Sequence, residues 1–75
     1  MTKKPDTMFR DGIKANLKAL SHLLECAALD SLTAYNHICR NEQNLAIGTV
    51  MPVEQILEQA TVLYKAIIVL HRCKL

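Results

Sequence analysis

Two glycines and two prolines are few for a chain of 75 residues with 51% apolar side chains, and that balance excludes a disordered polymer. Long apolar runs are absent too. The longest, Ala66 to Leu70, falls far short of the roughly 18 residues that a membrane span requires, so no transmembrane segment is expected. Aromatic residues are limited to Phe9, Tyr35 and Tyr64, and all three fall on predicted core faces, which leaves little for stacking on nucleic-acid bases. Cysteine occurs as an odd set, Cys26, Cys39 and Cys73, without a CxxC pair. The opening "MTKKPDTMFRDG" lacks the apolar run of a secretion signal. Reduced thiols and a cytoplasmic location are the expectation.

The motifs of catalysis are missing as well. No glycine-rich phosphate loop is present. Asp30, Ser31 and His37 supply the residue types of a nucleophilic triad, but no glycine elbow exposes Ser31, which points toward the core stripe. The pairs His37–Cys39 and His71–Cys73 suggest a repeated metal motif. Residues two apart on a helix point about 200° away from each other, so neither pair can chelate one ion. An antiparallel hairpin also holds Cys39 near its loop and His71 near its termini. His22 and Glu25 form an i, i+3 pair, yet a di-metal site needs further inward carboxylates. No enzyme activity, metal, cofactor or small-molecule substrate is expected, and the free cysteines read as small hydrophobes.

What the chain does contain is helical periodicity. At about 100° per residue, Phe9, Ile13, Leu17, Leu20, Leu24, Ala27, Ser31, Tyr35, Ile38 and Cys39 share one side, opposite Lys14, Lys18, His22, Glu25, Asn36 and Arg40. This predicts one long helix over about residues 8–40, after a short basic arm at 1–7 where Asp6 or Thr7 can cap the helix start. Asp30 or Ser31 could instead cap a separate helix, but the apolar phase does not slip there. In "NEQNLAIGTVMP", Asn41, Asn44 and Gly48 interrupt the pattern, giving a linker over about 41–51. Its Leu45, Ile47, Val50 and Met51 are too apolar for a free loop and should fold back over the hairpin's end. Pro52 suits the first position of a second helix over about 52–73, with Glu54 favourable in its first turn. The core face of that helix reads Val53, Ile56, Leu57, Ala60, Leu63, Tyr64, Ile67 and Leu70. The expected fold is all-α: a single domain, residues 8–75, forming an antiparallel helical hairpin.

The second helix carries more apolar surface than one neighbour can cover. Val62, Ala66, Val69 and Cys73 recur at intervals of four, three and four on its back. At 1.5 Å per residue the first helix would measure about 50 Å and the second about 30 Å. That mismatch leaves Met8, Phe9 and Ile13 overhanging. A chain of this size removes only about 60% of its unfolded surface from water, and burying each Val or Leu contributes about 1.5–3 kcal/mol. A homodimer completing a four-helix bundle, or a foreign protein partner, would cover both the row and the overhang. Phe9 is the best single anchor.

Charge is sorted along the hairpin. Lys3, Lys4, Arg10, Lys14 and Lys18 lie near the start of the first helix and are joined by Arg72 and Lys74 when the chain doubles back. Glu42, Glu54 and Glu58 gather near the loop. Arg10, Lys14 and Lys18 form a four-residue ladder able to follow phosphates or meet an acidic partner. In outline the chain resembles several unrelated groups of small two-helix proteins: plasmid-encoded RNA-binding hairpin dimers, needle-protein co-chaperones of type III secretion and small phage inhibitors. "PVEQILEQATVLYKAIIVL" is similar in pattern to the second helix of the co-chaperones. The likeness is architectural and assigns no residue a role. The expectation is a non-catalytic protein interaction module, an adaptor, chaperone or inhibitor. The alternative is a small dimeric nucleic-acid-binding regulator that uses the basic end.

Overall fold

The structure, a computed structural model, describes the backbone of residues 5–73 and the side chains of residues 7–73. Lys3, Lys4 and Lys74 of the basic end lie outside the described residues. Three helices follow in order: α1 (Pro5–Cys39), α2 (Gln43–Val50) and α3 (Val53–Arg72). No strand occurs among the described residues. α1 runs one way and α2 and α3 return beside it, so the chain is an all-helical hairpin.

α1 is continuous through Asp30 and Ser31. The Ser31 hydroxyl, a potential cap, donates instead to the carbonyl of Ala27 at 2.7 Å, and Thr33 does the same to Leu29 at 2.9 Å. The helix begins earlier than the capping residues indicate. Pro5 takes the first turn, where its missing N–H costs nothing, and Asp6 and Thr7 lie inside the helix. At the other end Asn41 adopts a left-handed conformation with φ 62°. Its N–H donates to the Ile38 carbonyl at 3.0 Å, and the Glu42 N–H reaches back to the His37 carbonyl at 2.9 Å. This bonding pattern satisfies the last carbonyls of α1 and turns the chain within a few residues.

The segment read as a linker is mostly helix. Met51 and Pro52 keep right-handed helical angles, and the Met51 N–H still donates to the Ile47 carbonyl at 3.0 Å. α2 and α3 therefore form one return arm bent at Pro52, where the ring removes a donor. α2 packs along α1 through the buried Ala46. Its Leu45, Ile47, Val50 and the following Met51 stay exposed and do not cover the hairpin's end as expected. A helical linker also lengthens the return arm, so the hairpin is less lopsided than predicted. Leu70 of α3 approaches Gly12 closely enough that a Cβ there would sit 3.2 Å from its Cδ1. Of the expected overhang only Met8 is exposed; Phe9 and Ile13 are half-buried.

The seam between the two arms repeats every seven residues. Ile13, Leu20, Ala27 and Ala34 lie on α1, and Ala46, Val53, Ala60 and Ile67 on the return arm, where the repeat continues through Pro52. The second seam position is filled by Phe9, Asn16, Leu23, Asp30 and His37 on α1 and by Thr49, Ile56, Leu63 and Leu70 opposite, all half-buried. This is the two-position pattern of packed helix pairs. The fully buried set is Ala27, Ala34, Ala46, Val53 and Ala60, with no large side chain among them. Small residues let the backbones approach, but they enclose little apolar volume.

Candidate interaction face

Four residues beyond the seam positions Ile13, Leu20, Val53 and Ala60, both arms turn large apolar side chains to the same side of the hairpin. Leu17 (49% exposed), Leu24 (46%), Leu57 (49%) and Tyr64 (57%) stand there about half open to solvent. Leu24 meets Leu57 and Tyr64 across an open groove of about 290 Å³ whose floor is Leu20 and Ala60. A second shallow groove of about 470 Å³ runs along α1 between Leu17, Ser21, Leu24 and Ala28, with Glu25 at its edge. Tyr35 and Ile38 prolong the face toward the turn. The hydroxyl of Thr61, on the groove wall, donates to the Leu57 carbonyl at 2.9 Å, so it presents mainly its methyl group outward.

This face is the correction that the structure makes to the helical wheel. Leu17, Leu24, Tyr35, Ile38, Leu57 and Tyr64 belonged to the predicted core and are exposed. Asn16, Asp30 and His37 occupy seam positions in their place. Asn16 tolerates this because its side-chain amide donates to the Gly12 carbonyl at 2.8 Å, and His37 because Nδ1 lies 3.3 Å from Oε1 of Glu42. The signal that reveals the face is the seven-residue recurrence of alanine at 27 and 34 and of Ala46, Val53 and Ala60. Hydropathy alone ranks leucine above alanine and so rotates the wheel toward the leucines. Tyr35 and Tyr64, placed in the core by sequence, are likewise on the surface.

The row Val62, Ala66, Val69 and Cys73 lies on the back and opposite flank of α3. Val62, Val69 and Cys73 are exposed there and Ala66 is half-buried. Arg10, Lys14, Lys18 and Arg72 are all exposed. Among the described residues no group of three or more His, Cys, Asp or Glu is placed to hold a metal ion. The sulfur of Cys26 sits 3.8 Å from Nε2 of His22, one helical turn away. No helix is long and apolar enough to cross a membrane among the described residues.

Taken as a whole, the hairpin is a single layer of helices, 58 × 18 × 13 Å, with a radius of gyration of 17.3 Å. A compact domain of this length has a radius near 11 Å. Folded domains are built from at least two packed layers, because an apolar face needs something to cover it. No protein-family model matches the chain, no curated protein matches it, and no solved structure matches its fold.

Proposed function

We propose that the protein is a non-catalytic helical interaction module that works by packing its apolar face against another protein surface, as an adaptor, chaperone or inhibitor does. One observation carries this reading. Among the described residues the buried set is four alanines and a valine, while fifteen large apolar side chains, Leu24, Leu57 and Tyr64 among them, are exposed. Apolar patches of that extent on small domains mark binding surfaces. The back row of Val62, Val69 and Cys73 and the exposed Met8 offer a second, smaller contact. Phe9 and Ile13, half-buried, contribute through their outer edges.

The test combines mass with dye binding on the purified chain. Light scattering after size exclusion reports whether the face is covered, and fluorescence of an apolar dye reports whether it is open. Either a mass above one chain or strong dye binding supports the module. A folded monomer that binds no dye ends the proposal.

The exposed ladder of Arg10, Lys14 and Lys18 beside Arg72 favours a second reading, a regulator that grips nucleic acid by its phosphates. It requires binding that weakens steeply with salt and is lost in the double variant Arg10→Glu/Lys14→Glu. Binding of duplex RNA and DNA probes measured at low and high salt decides it.

A further inference from the structure

The structure assigns an occupant to the apolar face: a second copy of this chain, stacked antiparallel, α1 on α1 and the return arm on the return arm, about a two-fold axis at the level of Ser21 and Thr61. This rests on the interaction-module reading and names its partner.

The first support is area. The chain exposes 6136 Å², whereas a compact monomer of its mass exposes roughly 4,600 Å². The excess of about 1,500 Å² is more than the roughly 800 Å² that each partner contributes to a standard interface, and it falls in the range of obligate homodimers. A second identical layer on the Leu17, Leu24, Leu57 and Tyr64 face would supply the missing half of a two-layer domain.

Charge order selects the direction. α1 carries Lys18 and Glu25 seven residues apart on its outer edge, and α3 carries Glu58 and Lys65 seven apart on its own, all exposed. The approach of Leu70 to Gly12 fixes the register of the arms, so Lys18 is level with Lys65, and Glu25 with Glu58, to within a residue. Two face-to-face stackings have two-fold symmetry. With the termini together, α1 covers α3 of the second copy and lysine meets lysine while glutamate meets glutamate. With the termini apart, each helix covers its own counterpart in reverse. Lys18 then meets Glu25 of the second copy, Glu25 meets its Lys18, and Glu58 and Lys65 exchange in the same way.

Both exchanges must share one axis, and they do. The midpoint of Lys18 and Glu25 falls between Ser21 and His22, that of Glu58 and Lys65 between Thr61 and Val62, and the hairpin register makes these midpoints level within a residue. The side chains near that level, Ser21 and the internally bonded Thr61, are small enough to let two layers close on each other. Like charges across a contact select against the wrong arrangement.

The experiment is a dilution series of the full chain followed by light scattering, with Lys18→Glu, Glu25→Lys and the double variant, and with dye binding measured in parallel. The wild type is expected at twice the 8.4 kDa chain mass. Each single variant should raise the dissociation constant about tenfold, because the two-fold doubles every repulsion, and the double variant should return to within about threefold of wild type. Helix content by circular dichroism checks that each variant folds. If either single variant loses helix, Glu58→Lys and Lys65→Glu on the other arm repeat the test. A monomer at all concentrations that binds dye overturns the second copy and leaves the face to another protein. A monomer that binds no dye overturns both readings. A dimer indifferent to the single swaps, or weakened by the double variant beyond either single one, overturns the antiparallel arrangement.

Discussion

The seam and the face beside it are built from opposite materials. Between the arms, where a core would normally hold leucines, the buried residues are Ala27, Ala34, Ala46, Val53 and Ala60; on the flank, where solvent would normally meet polar groups, stand Leu17, Leu24, Leu57 and Tyr64. Small residues inside bring the helix axes close, and close axes push the large neighbours outward on both arms at once. The hairpin is held together by a contact too thin to be a core, and its main apolar content faces away from itself.

The largest way to break this contrast is Leu24→Glu. If the face is covered in the working state, the charge is buried without a partner and assembly is lost, at a cost above about 3 kcal/mol. If the face were bare, the change would stay within about 0.5 kcal/mol. Thermal unfolding at several protein concentrations separates the two outcomes. Next in size is Ala60→Leu on the seam, which inserts volume where the arms are closest and should lower stability by about 1–3 kcal/mol in urea titration. A neutral result there would show that the arms are free to spread.

Smaller substitutions sharpen the comparison without touching either surface. Gly48 lies in α2 with nothing within 4 Å of where a Cβ would stand and without a positive φ. Gly48→Ala should therefore raise stability by about 0.4–1 kcal/mol through the unfolded chain. A loss instead would mean that something approaches α2 that the single chain does not contain. Asn41→Gly, at φ 62°, should be neutral or stabilising by less than about 1 kcal/mol, measured the same way.

Much of the hairpin was legible in the sequence: two amphipathic segments, the reversal near Asn41 and the break at Pro52. The rotation of the helices was not. Periodicity weighs residues by hydropathy, so Leu17, Leu24 and Tyr35 drew the α1 stripe toward themselves, and the alanines on the seam counted for little. Polar Asn16, Asp30 and His37 deepened the error, since two of them sit at the seam on the strength of contacts to Gly12 and Glu42 that no wheel displays. Gly48 and Asn44 read as breakers, yet α2 forms because Ala46 continues the seven-residue contact with α1. Of the candidate interface, Val62 and Val69 were identified as outward by their spacing. The larger face stayed hidden because its residues looked like a core.

The turn at Asn41 and Glu42 has a further role that follows from the alanine seam. The alanine stretch of the seam, Ala27 and Ala34 against Ala46 and Ala60, would fit nearly as well if one arm slid by a full repeat, and the larger Ile13, Leu20, Leu63 and Leu70 further from the turn resist it. Interdigitated large side chains would forbid such a slip; alanines do not. What holds the alignment is the tightness of the reversal, with Glu42 bonded back to the His37 carbonyl at 2.9 Å and no spare chain to feed into a shift. The turn acts as the pawl of a ratchet whose nearest teeth, Ala34 and Ala46, are both small. Through the level it imposes on Gly12 and Leu70, it also decides which charges on the two outer edges stand at the same height.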